Sequence, residues 1–313
     1  MEGGFWFANS YAEAAGRFLI ACNDMREAGH KVESERLEIG MTGPDGEPLC
    51  IDVAVIGSLE SGKVLLSSSG IHGVEGYPGS AIQLAILDDL CKEEPFKDHA
   101  IIFVHTINPY GMAWWRRFNE NNVDLNRNFL TRNQEYSGVP VGYEQIKQFI
   151  NPESPPPKKE KWFKLKALNL IRKYGFNNLK QWVAEGQYEY PKAIQYGGDC
   201  LQPGPDLLLN WLDSTLIDVK QIWAIDLHTG LGPSGYDTLL VSEGVSVEDF
   251  NHFDSLFPGH VESLDSNAGV GYQIVGDLHQ GLIDRYDHIK WQALTQEFGT
   301  FKPTQVLQAS RTE

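Results

Sequence analysis

Four stretches of this 313-residue sequence hold side chains whose types and spacing could do chemistry. Gly70-Ile71-His72-Gly73-Val74-Glu75-Gly76 sets an imidazole and a carboxylate three residues apart, and its glycines permit the tight turn that lets both reach one metal ion. Such a pair also arises by chance, and a solvated loop would read the same way. Ile222-Trp223-Ala224-Ile225-Asp226-Leu227-His228-Thr229-Gly230 ends an apolar strand on His228. Asp226 shares the face of His228 by the period of two and could orient it as a ligand; a structural histidine bonded to a carbonyl is the other reading. Asn108-Pro109-Tyr110-Gly111, Arg116-Arg117 and Val123-Asp124-Leu125-Asn126-Arg127-Asn128-Phe129 form the densest polar stretch. Arginine forks match a carboxylate in two parallel bonds, so this stretch suggests a site for an anion or developing oxyanion, or else a surface salt-bridge cluster. In Gln296-Glu297-Phe298-Gly299-Thr300 a carboxylate interrupts the end of an apolar strand, which is costly unless it is paired, exposed or functional.

Taken in order, these stretches resemble the motifs of the zinc carboxypeptidase family of carboxypeptidase A type. The resemblance implies a three-layer α/β/α sandwich with a mixed, largely parallel central sheet, and one zinc ion held by His72, Glu75 and His228. A second ion stays open. It further implies Glu297 as general base, Arg117 (less well Arg116) as the oxyanion's partner, and Asn126 with Arg127 as the pair holding the substrate's terminal carboxylate. Asp124 falls where the family supports its first zinc histidine, and Tyr272-Gln273-x-x-Gly276 resembles the tyrosine segment that folds over substrate. Asp226-Leu227-His228-Thr229-Gly230 looks more like the aspartoacylase and succinylglutamate desuccinylase relatives. Phe7-Ala8-Asn9-Ser10-Tyr11 and Gly186-Gln187-Tyr188 resemble a bacterial branch of the same clan. The implied activity is zinc-dependent cleavage of an amide beside a free carboxylate, on a small peptide or an N-acyl amino acid. A ligand-binding protein without catalysis is the reading from another class.

The elements that must position these residues follow from pattern. Ser10-Tyr11-Ala12-Glu13 has the form of a capping box, with a helix to about Ala28. Lys31 to Ile39 and Cys50 to Ser58 read as strands joined through Gly43-Pro44-Asp45-Gly46. Lys63 to Ser69, a helix from Ser80 to Lys92 and a strand from His99 to Asn108 make a βαβ unit, hence a largely parallel buried sheet. A helix near Pro205 to Leu216 precedes strands at Gln221 to Thr229, Thr238 to Ser242, Tyr272 to Val275 and Ala293 to Thr300. Thr304 to Glu313 begins like a helix and stops without a cap, as if cut short. His105, inside a strand before Asn108-Pro109, is a candidate for lying close to the metal. Asp277 and His279 are candidates for lining a side-chain pocket.

Residues 1–313 are expected to form a single catalytic domain carrying an insertion or cap at about 130–200. Within it Pro155-Pro156-Pro157 breaks the pattern and Lys161 to Trp182 reads as one basic amphipathic helix. A 42% apolar share with 11% aromatics argues against disorder. A net charge of −16 argues against nucleic acid and membrane as main partners. Cys22, Cys50, Cys91 and Cys200 lack CxxC pairing, which removes a disulfide framework and a thiolate zinc site. They read as buried small hydrophobes in a reducing compartment. With no basic-apolar leader at Met1 to Phe18 and no long apolar run, a soluble, cytoplasmic protein is expected.

Overall fold

The computed structural model describes residues 3–154, 156, 160–241, 245–263 and 273–313. In chain order the elements are α1 (Tyr11–Glu27), β1 (Val32–Thr42), β2 (Pro48–Gly57), β3 (Lys63–Ser69), α2 (Gly76–Leu90), β4 (Ala100–His105) and α3 (Pro109–Ala113). Then come α4 (Tyr143–Ile150), α5 (Phe163–Tyr174), α6 (Phe176–Ala184), α7 (Pro203–Thr215), β5 (Gln221–Thr229) and β6 (Asp237–Val241). The last are α8 (Val247–Leu256), β7 (Val261–Ser263), α9 (Leu278–Arg285), β8 (Lys290–Phe298) and α10 (Pro303–Ser310). The eight strands make a mixed sheet flanked by helices, an α/β fold. The chain divides into two compact units. Among the described residues no helix is long and apolar enough to cross a membrane.

The first unit comprises Met1–Glu120, Leu201–Thr229 and Leu282–Gln296. Its strands run in the order β1-β2-β4-β3-β5-β8. β1, β2 and β4 pair antiparallel, whereas β3 lies parallel to both β4 and β5. β1 carries Glu33, Glu35, Arg36 and Glu38 along a largely exposed edge, and charge there discourages pairing with another chain. β2 and β4, enclosed by neighbours, are buried almost throughout.

Ser10 caps α1 by accepting from Glu13 N at 3.1 Å, and the Glu13 carboxylate reaches back to Asn9 N at 2.7 Å. Tyr11, Ala14, Ala15, Phe18, Cys22 and Met25 then recur on one buried stripe of α1. That stripe meets Leu84 and Leu87 of α2 and the Ala54, Ile56, Ile101 and Phe103 side chains of β2 and β4. α2 starts at Gly76 rather than Ser80, because Pro78 sits in the first turn, where a missing N–H breaks no bond.

Two buried ionisable groups share that covered face as register partners, Asp52 of β2 and His105 of β4. Burial pushes Asp52 up to about 6 against the pull of Arg36, whose Nε donates to its Oδ1 at 2.6 Å. Burial pushes His105 down to about 4; its Nε2 meets Ser80 Oγ at 2.8 Å and its ring stacks on Phe18. A carboxyl raised in the fold favours folding at low pH, and that contribution is lost as pH rises from ~4 to ~6. An imidazole lowered in the fold acts oppositely, losing stability as pH falls from ~6.5 to ~4. Asp52→Asn removes the first slope only. Its stability relative to the wild type should therefore rise by roughly 3 kcal/mol between pH ~4 and ~6.5, followed by urea unfolding at stepped pH. A difference that stays flat would refute the burial argument.

The second unit comprises Asn121–Cys200, Gly230–Gly281 and Glu297–Glu313. Its strand order is the end of β8, then β6, then β7, the last two parallel. The single basic helix expected at Lys161 to Trp182 is two helices, broken at Gly175, whose φ of +81° suits glycine. Phe163 is buried against Phe149, and the Arg311 guanidinium lies 5.0 Å from both rings while pairing with Glu160 at 2.7 Å. α4 and α8 were not anticipated from the pattern. Tyr272 of the expected strand Tyr272 to Val275 lies outside the described residues, as does Ser242, and residues 273–275 are not in a strand. All four cysteines are free, but only Cys22 and Cys50 are buried; Cys200 is exposed.

Candidate metal centre

β3 ends at Ser69 and the backbone turns at Gly70, with φ +64°. A Cβ there would fall 1.9 Å from Thr106 Oγ1, so only glycine can start this turn. A single 3₁₀ turn, Gly73–Glu75, follows His72. Side chains three apart eclipse in such a turn, and His72 Nδ1 comes to 3.0 Å from Glu75 Oε1. Gly73 lets the turn pass close over α3, where a Cβ would stand 2.1 Å from Gly111 C. Gly73 N and Val74 N donate to the carbonyls of Arg117 and Arg116 at 3.1 and 3.0 Å. The same crossing delivers Arg117, whose Nη1 lies 3.4 Å from Glu75 Oε1 and Nη2 2.7 Å from His72 Nε2.

The third group arrives through strand register. β5 pairs parallel with β3, Ser68 opposite Asp226 and Ser69 opposite Leu227, so His228 emerges level with the Gly70 turn. His228 Nδ1 lies 3.4 Å from Glu75 Oε2, and the two imidazole centroids are 5.0 Å apart. Thr229 N donates to Glu75 Oε2 at 2.8 Å. On the far side of the ring, Asp226 Oδ2 stands 2.5 Å from His228 Nε2, and Ser68 Oγ donates to Asp226 Oδ1 at 2.6 Å. The expectation that Asp226 orients His228 thus has its geometry.

One donor atom from each of His72, Glu75 and His228 lies within 4.8 Å of the others, and the residues are only 4%, 6% and 4% exposed. Donors ~2.1 Å from a tetrahedral ion sit roughly 3.4 Å apart, close to the spacings seen here. Two imidazoles and one carboxylate are also the donor set of catalytic zinc sites, which keep a fourth position open. The residues fit a zinc ion. Electrostatics agree: burial alone would raise Glu75, but the imidazoles of His72 and His228 hold it well below the usual carboxylate range. Burial would lower His228, yet the Asp226 and Glu75 carboxylates raise it well above the ordinary imidazole value. His105 is not one of the cluster's ligands; its Ser80 and Phe18 contacts make it a core residue.

In the second unit Asn126 and Arg127 occupy a short 3₁₀ turn capped by Asp124, whose Oδ1 accepts from Asn126 N at 3.0 Å. Asn126 Oδ1 accepts from Leu278 N at 3.0 Å. Arg127 is buried, its Nε and Nη2 donating to Ala184 O at 2.9 and 2.5 Å and its Nη1 to Asn126 O at 2.7 Å. A guanidinium has five N–H groups, so one remains on each terminal nitrogen. Gly186, with φ +108°, makes room for Arg127, since a Cβ there would lie 2.8 Å from Arg127 Cδ. Tyr188 Oη donates to Arg127 O at 2.8 Å. Nothing in the sequence pattern points to this cradle; Gly186-Gln187-Tyr188 stands out there only by its resemblance to a bacterial branch. Glu297, 7% exposed at the end of β8, accepts from Leu231 N through Oε2 at 3.3 Å. His279 is buried and Asp277 half-buried in this unit, and desolvation raises the Asp277 carboxyl. Tyr272 lies outside the described residues.

The mixed sheet and its flanking helices make an α/β fold that solved structures share. Thrombin-activatable fibrinolysis inhibitor is similar at a TM-score of 0.54 and 15% identity, over 96% of this chain and 70% of that one. The bovine thrombin-activatable fibrinolysis inhibitor, solved in complex with tick carboxypeptidase inhibitor, is similar at 0.50 and 12%, over 98% and 93%. For carboxypeptidase A from Helicoverpa armigera the values are 0.49 and 13%, over 97% and 70%. The chain belongs to the family described as "Protein of unknown function (DUF2817)", whose model matches residues 7–313. A search of the curated proteins finds no match.

Proposed function

We propose that this protein is a zinc-dependent hydrolase that cleaves an amide bond next to a free carboxylate, acting on peptides as a metallocarboxypeptidase. The observation that carries the reading is the buried trio His72, Glu75 and His228, with donor atoms within 4.8 Å of one another and Asp226 behind His228. Likeness of fold to a protein solved with a carboxypeptidase inhibitor supports the peptide substrate. When bound, zinc supplies a Lewis acid that polarises the scissile carbonyl and acidifies water to a pKa near ~7. Glu297 takes the water's proton and passes it to the departing amine. Arg117, already beside the trio, donates to the developing oxyanion. Asn126 and the two remaining Arg127 N–H groups hold the substrate carboxylate. Asp226 fixes the orientation of the His228 ring. Four free cysteines suit a reducing, cytoplasmic setting.

A second reading, deacylation of N-acyl amino acids by the same centre, is favoured by Asp226-Leu227-His228-Thr229-Gly230. Both are tested by offering the zinc-loaded protein a mixed peptide ladder and a panel of N-acetyl and N-succinyl amino acids, with mass spectrometry as readout. Loss of C-terminal residues from free-acid peptides, with amidated peptides left intact, supports the carboxypeptidase. Acyl release with peptides untouched moves the assignment to the deacylase. Turnover of neither, with zinc bound, would leave a ligand-binding protein.

A further inference from the structure

The metal centre leaves one sequence feature unused. Between Lys161 and Trp182 lie six cations and no acid, in a chain whose 42 acidic residues all fall elsewhere. α5 buries Phe163 and half-buries Ala167, Leu170, Ile171 and Tyr174, which recur on one face. Its opposite face is not simply polar. Trp162 is 64% exposed, Leu165 56% and Leu168 44%, at spacings that align them with exposed Arg172. Exposed Lys164 flanks this stripe on one side and Lys166 and Lys173 on the other. Of these, Lys166 is tied to Glu160 at 3.0 Å. α6 opens on Phe176, itself 57% exposed.

We infer that the outward face of α5 is a docking surface for anionic lipid bilayers. Leucine and tryptophan on a face rimmed by lysine and arginine, with Asn169 as an uncharged polar neighbour, match the chemistry of that interface. The apolar groups enter the acyl boundary while the long cationic stems reach up to the headgroups. Two features select a membrane over a soluble partner: exposed apolar side chains and cations alternate along one stripe, and between Lys161 and Trp182 the sequence holds no carboxylate. The chain's net charge of −16 does not forbid this. Screening confines electrostatic reach to ~8 Å at physiological ionic strength, so the bilayer responds to the face pressed against it. Whole-chain charge, which argued against membranes, is the wrong quantity for a helix held at the surface.

The test is co-sedimentation of the full chain with phosphatidylcholine vesicles, with and without about 30% phosphatidylserine. The expected result is binding to the anionic vesicles alone, released by high salt. Each cation near such a surface contributes ~1 kcal/mol, so Lys164→Gln with Arg172→Gln should weaken partitioning about 30-fold. Leu165→Ser with Leu168→Ser should weaken it also, without loss of the circular dichroism signal, because both residues are exposed. No binding to anionic vesicles overturns the proposal, as does binding that neither pair of substitutions changes. Binding of a single-stranded RNA instead of vesicles overturns it too. So does a salt-labile oligomer that Lys164→Gln with Arg172→Gln dissolves while vesicles stay unbound.

Discussion

Glu297→Gln should bind zinc as the wild type does and turn over substrate about a thousandfold more slowly, within the range expected when a general base is removed. Glutamine keeps the shape of glutamate and an oxygen that can still accept from Leu231 N, the contact Glu297 makes at 3.3 Å. What it lacks is a basic lone pair. Glu297 is not one of the three candidate donors, His72, Glu75 and His228, so the substitution leaves the donor set intact. Metal content by mass spectrometry should match the wild type, the loss should fall on kcat, and KM should move little. Wild-type kcat in the variant would remove Glu297 from the chemistry. Loss of zinc together with activity would mean that its role is structural.

The parts of the centre legible in sequence are those governed by short-range periods. His72 and Glu75 meet because residues three apart eclipse in a 3₁₀ turn, and Asp226 and His228 meet because alternate strand residues share a face. β3 and β5 carried unbroken apolar runs ended by glycine or polar residues, and their observed limits, Lys63–Ser69 and Gln221–Thr229, match the pattern. Contacts created by two segments crossing left no such trace. Arg117 reaches His72 only because Gly73 and Gly111 let two backbones approach, and neither glycine names its partner. The hold of Ala184 and Gly186 on Arg127 spans 57 or more residues. Helix ends are hard to read at punctuation: Pro78 lies inside the first turn of α2, four residues of which precede the expected start at Ser80, and Gly175 divides the helix expected from Lys161 to Trp182. The eight-residue α4 has too few turns to set its period apart from the surrounding loop.

Zinc added to metal-free protein should raise its unfolding free energy by about 4 kcal/mol at a thousandfold excess over the dissociation constant, because ligands held by the fold are scattered in the unfolded chain. His228→Ala should abolish that increment. The variant's own unfolding midpoint is a poorer guide: removing the imidazole takes one hydrogen-bond partner from the buried Asp226 carboxylate, and that alone destabilises. The zinc-dependent increment cancels this cost, since both measurements use the same variant. Asp226→Asn makes the finer test. An amide keeps the ring in place but polarises it less, so zinc should bind 10- to 100-fold more weakly, the usual penalty for losing a carboxylate behind a ligating histidine. A zinc increment unchanged in His228→Ala would show that the ion binds elsewhere, and the trio would then be a buried polar cluster with no metal to hold.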